Sequence, residues 1–432
     1  MFGLEILKSR LKDAPKTSGV YLFKNKKDIP IYIGKAINIK RRLSNYGNLP
    51  KLPRRLQKMV SQTVNIDFEL TESERNALLL EALLIKKFSP RYNIRLKDDK
   101  SFPLIKITNG AFPRLTRFRN DFSNEDKVFG PFTSALKTDK VIKILQKSFK
   151  LRSCNDSEFK NRTRPCLLYD LKQCSAPCVS KVDENEYKNQ VSDTIKFFQG
   201  SQKKIFNKLE KQMVYFSESQ NYEKAAELRD SIQSLNYIIR EEVKISTQET
   251  NFDYIHIDNK KHFSIYIGFI RYGRYLGGNL IYYSDKFEED IDPTSLIIQF
   301  YLKSFRPKKI IISKKIQGYN ELKSIMKENY KIDVSLKSNN IVGIQKISNL
   351  TAKRNDKEVS LQKQKYVNNQ EILNLLKIKF NIKNNVERVE AYDNSFFGNN
   401  YAVASYVVFN EEGFSIKAVS YTHLRAHETK WH

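Results

Sequence analysis

Gly19-Val20-Tyr21-Leu22-Phe23-Lys24-Asn25-Lys26-Lys27-Asp28-Ile29-Pro30-Ile31-Tyr32-Ile33-Gly34-Lys35, followed shortly by Lys40-Arg41-Arg42, decides how the N-terminal part of this chain folds. Two short β-rich runs, residues 20–23 and 29–33, flank the polar stretch Asn25-Lys26-Lys27-Asp28, which predicts a β-hairpin. Residues 38–46 fit a basic helix. Upstream, residues 4–13 place apolar side chains at helical spacing, and Pro15 ends that run. Downstream, residues 64–70 alternate as a third strand. Thr71-Glu72-Ser73-Glu74 then supplies a capped, acidic start to a helix reaching about Phe88, before Pro90.

That helix carries the most informative carboxylate in the chain. Between Ala77 and Ile85 every residue except Glu81 is apolar. No rotation of the helix gives Glu81 a polar stripe, because Ala77, Leu78, Leu84 and Ile85 surround it at helical spacing. An edge residue reaching back to water is the bland reading. A carboxylate held at a core boundary by a cation is the sharper one, favoured because burying an unpaired carboxylate is costly.

A chain of 432 residues suggests about three domains, and its net charge of +28 with 12 % aromatic residues favours a polyanionic partner, nucleic acid first. No apolar run approaches a membrane span and no signal-peptide pattern opens the chain, so a cytosolic protein is expected. The four cysteines, Cys154, Cys166, Cys174 and Cys178, follow the spacing C-x11-C-x7-C-x3-C. In a reducing compartment such clustering favours a metal over disulfides, as Zn2+ or as an iron–sulfur cluster; spacing alone does not choose. The Asp98-Asp99 pair, flanked by lysines, reads as a self-neutralised loop rather than a metal site.

Residues 184–243 read as helical throughout, with a polar break at 217–221 that implies an antiparallel hairpin. Its apolar face needs a cover, whether another protein or the rest of this chain. From residue 252 the pattern turns to β, then to α/β with a buried strand at 310–312. A second meander begins near residue 386, its first strand ending at Asp393. Three of the five histidines and the only tryptophan crowd the last ten residues, so residues 421–432 read as lying outside the natural fold.

With histidine absent from the N-terminal region, phosphodiester cleavage there would need other groups. A tyrosine beside lysine or arginine is expected to have a lowered pKa and to take a proton from water. Arginine offers a fork for phosphoryl oxygens, and a carboxylate holds a divalent ion. Tyr21, Tyr32, Lys35, Arg42 and Glu81 cover those roles. On chemistry alone, a nuclease and a plain binding module stand near parity.

Gly19-Val20-Tyr21 with Tyr32-Ile33-Gly34 resembles the paired motif of the GIY-YIG nucleases, with valine at the central position of the first. The longer strings YIGKAINIKRRLSNY and ESERNALLLEALLIKKFSPRYNIRLKDDKSFP are similar to the UvrC family of bacterial nucleotide excision repair. So are RPCLLYDLKQCSAPC, YEKAAELRDSIQSL and VEAYDNSFFG, in that family's order. The resemblance implies a catalytic set of Tyr21, Tyr32, Gly34, Lys35, Arg42 and Glu81, with Glu81 holding Mg2+ or Mn2+. It implies incision on the 3′ side of a lesion in double-stranded DNA. It favours a 4Fe–4S cluster over Zn2+ at the four cysteines. It implies direct docking of UvrB on the hairpin through Tyr222, Ala225, Ala226, Leu228, Arg229 and Ile232, with UvrA an indirect partner. Asp393 matches the first catalytic aspartate of an RNase H-like nuclease responsible for the 5′ incision, whose remaining acids are expected beyond residue 420, as though the reading frame were truncated.

The fold class expected is therefore multidomain α/β. A small GIY-YIG α/β nuclease domain occupies residues 1–98, and a linker with the Cys-rich metal segment 99–182. A helical hairpin fills 183–245, and an α/β region, read as degenerate RNase H-like, 246–385. An incomplete RNase H-like domain begins at 386–420, and 421–432 form the aberrant tail. A fragment that binds UvrB and DNA without cutting, and a stand-alone structure-selective nuclease, are the alternatives.

Overall fold

The structure, a computed structural model, describes residues 2–93, 102–119, 127–240, 243–244, 251–258, 263–282, 291–302, 304–338, 343–397, 401–411, 413–414 and 420–424. Asp98, Asp99, His427, Trp431 and His432 lie outside the described residues. The chain divides into two compact units, residues 1–352 and 353–432.

The first unit begins with α1 (Phe2–Asp13), and the expected hairpin follows as β1 (Gly19–Lys24) and β2 (Pro30–Ala36). Asn25 makes the turn, its Oδ1 accepting from the backbone N–H groups of Lys27 and Ile29. Next come α2 (Ile39–Asn45), α3 (Arg54–Gln62), β3 (Asn65–Leu70) and α4 (Glu74–Phe88). β1 is the central strand, antiparallel to β2 and to β3. Ser73 caps α4 by accepting from the N–H of Asn76, and Ser89 ends it in the left-handed conformation. Val20, Leu22 and Ile33 pack against Ala77, Leu84 and Ile85 of α4, while Tyr21, Phe23 and Tyr32 face the α1–α3 side.

A second layer explains the apolar run in α4. After β4 (Leu104–Ile107), β5 (Leu115–Phe118), β6 (Lys127–Phe129) and α5 (Ala135–Ser148), two short helices, α6 (Asp156–Lys160) and α7 (Leu167–Asp170), frame the cysteines. The helices α8 (Glu184–Phe198), α9 (Gln202–Glu218) and α10 (Tyr222–Arg240) follow. A six-stranded sheet is built from β7 (Val243–Lys244), β8 (Phe252–Asp258), β9 (Ser264–Arg271), β10 (Arg274–Tyr282), β11 (Lys309–Ile312) and β12 (Asp333–Leu336). β8, β9 and β10 run antiparallel, and β11 pairs in parallel with both β8 and β12. The helices α11 (Pro293–Tyr301) and α12 (Tyr319–Tyr330) cover one face, where Ile255, Ile267, Leu296, Ile297 and Leu322 form the largest core. Leu78 and Ala82 of α4 enter that same core. α4 is thus packed on two sides, which leaves no room for a polar stripe.

Ile344 and Ile347 of α13 (Ile344–Lys379) cover the opposite face, with Phe252, Tyr254 and Tyr266. Inside the sheet Asp253 is fully buried, pairing with Arg271 at 2.8 Å and accepting from the Tyr301 hydroxyl at 2.8 Å.

The second unit holds the rest of α13 and an antiparallel sheet of β13 (Arg388–Phe397), β14 (Tyr401–Asn410), β15 (Gly413–Phe414) and β16 (Ser420–Leu424). β16 pairs with β14, so residues 421–424 join a strand although the sequence reading set them outside the fold. Among the described residues no helix is long and apolar enough to cross a membrane.

Candidate active site

The hairpin register sets Tyr21 opposite Gly34. A Cβ at Gly34 would lie 2.4 Å from the Tyr21 hydroxyl, so glycine is what lets that ring cross β2. Tyr21 then meets Tyr46, at the C-cap of α2, hydroxyl to hydroxyl at 2.9 Å. Tyr46 donates to the Tyr32 hydroxyl at 3.3 Å, and Arg42 Nε donates to the Tyr21 hydroxyl at 3.4 Å. With Tyr46 donating onward, the donor order runs from Arg42 through Tyr21 and Tyr46 to Tyr32. The three rings and Phe23 meet mostly edge to face.

Burial corrects one expectation here. It raises the Tyr21 pKa, and the Arg42 guanidinium only partly offsets it. Tyr46 is held well above the ordinary tyrosine range, by burial first and by Tyr21 and Tyr32 next. Desolvation of a phenolate outweighs the neighbouring cation, so Tyr21 stays a phenol and is not the low-pKa base that its position beside Arg42 suggested.

Glu81 reaches the same sheet from α4. It is 9 % exposed; its Oε1 accepts from the Lys35 backbone N–H at 3.1 Å, and its Oε2 is buried without a hydrogen-bond partner. Burial raises its pKa to about 7, with the Asp292 carboxylate adding to the effect and Lys35 and Ser295 opposing it. The Lys35 ammonium pairs with Asp292 at 3.0 Å. Desolvation pulls the Lys35 pKa down, but Asp292 and Glu81 outweigh it and the net shift is upward. Asn93 locks β2 beside these groups, accepting from Ile33 N–H at 2.7 Å and donating to Ile33 O at 2.6 Å.

The residues fit a divalent cation held by one carboxylate. An orphaned, buried Glu81 oxygen is the feature that an oxygen-seeking ion completes, with waters filling the remaining positions. Sequence reasoning missed Tyr46, Asn93 and Asp292. Tyr46 had a visible signal, since it stands one helical turn after Arg42; the other two had none.

The remaining expected residues lie elsewhere. The four cysteines form no disulfide. Burial pushes Cys174 up to about 11 and raises Cys178, with the neighbouring thiols adding to both. Among the described residues, however, no three His, Cys, Asp or Glu side chains are grouped to hold a metal, so the expected four-thiolate site is not assembled in this arrangement. On α10, Ala225 is buried, and Leu228 and Ile232 pack on a core of the chain's own residues; Ala226 is half-buried. Arg229 pairs with Asp230, while Tyr222 at the hairpin tip is exposed, as are Val214 and Tyr215 on α9. Asp393 is exposed on β13, opposite Ser405.

Family profiles match the chain in four places. They are a UvrC-like GIY-YIG domain at residues 17–94, a UvrC/Cho excinuclease middle domain at 102–197, a UvrB/uvrC motif at 203–238 and a UvrC RNase H endonuclease domain at 377–430. UvrABC system protein C of Rickettsia felis is 38 % identical over 425 residues, covering 96 % of this chain and 65 % of its own length. The same protein of Rickettsia bellii is 38 % identical over 429 residues, covering 96 % of this chain and 66 % of its own. This chain therefore spans about 65 % of the length of those curated relatives. A crystal structure of the GIY-YIG N-terminal endonuclease domain of UvrC from Thermotoga maritima, bound to magnesium, is 39 % identical. It covers 20 % of this chain and 96 % of its own, at a TM-score of 0.19. With four UvrC-type segments in order and relatives aligned along nearly all of it, the chain belongs to the UvrC family.

Proposed function

We propose that the chain acts as a UvrC-type subunit of UvrABC nucleotide excision repair, hydrolysing a DNA phosphodiester on the 3′ side of a lesion. The observation that carries this reading is the orphaned Glu81 oxygen, set beside Lys35 on the sheet that also holds the tyrosine chain. A divalent ion bound there would polarise a phosphoryl oxygen and assist the leaving group. The exposed Arg42 steadies the phosphate with the nitrogens it does not spend on Tyr21. The linked hydroxyls of Tyr21, Tyr46 and Tyr32 orient the attacking water.

Double-stranded DNA is the substrate that the net charge of +28 supports. UvrB is the direct partner and UvrA the indirect one, with Val214, Tyr215 and Tyr222 offering the exposed apolar tip of the hairpin. Residues 246–385 read as a degenerate RNase H-like region, and Asp393 as the first acid of a second nuclease centre. A 4Fe–4S cluster, or Zn2+, at the four thiols would staple the loop between α5 and α8. Iron and zinc analysis with an anaerobic absorption spectrum decides between them, and a metal-free, colourless protein removes both.

Incision of lesion-bearing DNA with UvrA, UvrB, ATP and magnesium tests the main reading. A 3′ nick is expected, lost in Arg42→Ala and Glu81→Ala while DNA binding persists; no nick from the intact chain, or normal cutting by either variant, refutes it. A second reading, a chain that binds UvrB and DNA without cutting, is favoured by one observation: another part of the chain covers Glu81.

A further inference from the structure

α11 lies directly over the face of α4 that carries Glu81. Leu296, Ile297 and Phe300 share a core with Leu78 and Ala82, and the Ser295 hydroxyl faces the Glu81 carboxylate. Three polar ties fasten this contact. Lys35 Nζ pairs with Asp292, Lys86 Nζ donates to Leu302 O at 3.1 Å, and Arg75 pairs with Glu328 of α12 at 2.7 Å. Both oxygens of Asp292 are engaged. One oxygen caps α11 by accepting from the Thr294 N–H at 2.9 Å, and the other accepts from Lys35.

We propose that α11 is a removable cap on the nuclease site. Its docking on α4 and the binding of a divalent cation at Glu81 exclude each other, and Asp292 occupies the anion position on Lys35 that a phosphodiester would take. The proposal rests on the reading of Glu81 as the cation-holding carboxylate. Glu81 Oε2 is buried without a hydrogen-bond partner, and α11 packs on the helix that carries it, with its Ser295 hydroxyl turned to the same carboxylate. Lys35, the cation next to it, is already neutralised by a carboxylate distant in the sequence, Asp292. A cation and a polyanion can therefore enter only as the capped state gives way, and each acts by the difference in its affinity for the two states.

The sign of one substitution separates this from simple electrostatics. If Asp292 merely lent negative charge to the site, Asp292→Ala would weaken cation binding. If it fastens the cap, Asp292→Ala tightens it, because a larger share of molecules is open. Arg75→Glu sets two carboxylates against each other at the α4–α12 contact, away from Glu81, and is expected to act in the same direction.

The experiment measures Mn2+ binding to the full chain by the electron paramagnetic resonance signal of free Mn2+, alongside amide hydrogen exchange of residues 293–301. About fivefold tighter Mn2+ binding is expected in both variants, the scale of a weak ion pair lost from the capped state. In the unmodified chain, Mn2+ is expected to speed exchange in 293–301. Unchanged or weaker binding in both variants, or slower exchange on adding Mn2+, overturns the cap while leaving the Glu81 site in place. Mn2+ binding that survives Glu81→Ala overturns the cation reading itself, and the cap with it.

Discussion

Replacing Glu81 by glutamine keeps the side chain's shape and removes its charge, which isolates the consequence of burying it. Without a metal, the carboxyl titrates at about 7 in the folded chain, against an ordinary value of 4.5, chiefly because of burial and next because of Asp292. The folded state therefore holds this proton more tightly than the unfolded state does. Stability is full at and below about pH 4.5, and falls as the pH rises through the window up to about 7. The full loss amounts to about 3 kcal/mol, from the free energy carried by each unit of pKa. Glu81→Gln has nothing to lose in that window. With a chelator present, the variant is expected to exceed the unmodified chain by up to about 3 kcal/mol at about pH 8, and the advantage is expected to vanish near pH 4.5. Hydrogen exchange of the β1 and β2 amides reads this domain separately, which a chain of several domains requires. Saturating magnesium should reverse the order, since only the carboxylate gains from binding it. Parallel pH profiles for the two proteins would refute the reasoning.

Tyr46→Phe removes the link between Tyr21 and Tyr32. Incision is expected to fall by on the order of 100-fold, while stability drops by only about 1 kcal/mol; undiminished cutting rules the hydroxyl chain out. Gly34→Ala drives a methyl group into the Tyr21 hydroxyl and should cost about 1–3 kcal/mol, read from the same β1 and β2 amides. Asp253→Ala leaves Arg271 buried without its carboxylate and should destabilise the six-stranded sheet by about 3–5 kcal/mol. Faster exchange across β8 and β9 would show it, and unchanged protection would mean that the pair contributes little.

The local parts of the site were legible because local chemistry makes them. Asn25 announces its turn, Ser73 its helix, and the alternation of Val20, Leu22 and Ile33 against Tyr21 and Tyr32 the two faces of the sheet. The helical break before Tyr222 fell where polar residues interrupt both stripes. Glu81 could be singled out, but not explained, because half of its surroundings come from α11 and α12. No periodicity within α4 encodes a contact with Asp292. The sign of the Tyr21 shift is hidden from the sequence for a related reason. A neighbouring arginine is visible in the sequence, whereas the depth of burial that outweighs it is assembled from three other aromatic rings.

The two-sided packing of α4 has a consequence in time. About 200 residues separate Glu81 from Asp292 along the chain. At ordinary rates of translation the outer face of α4 leaves the ribosome roughly 10–40 s before α11 exists to cover it. During that interval Leu78 and Ala82 face water, and the hairpin sheet must hold α4 with Ala77, Leu84 and Ile85 alone. Every molecule thus begins with Glu81 open and Lys35 without its carboxylate, and the covered arrangement forms only once α11 has been made.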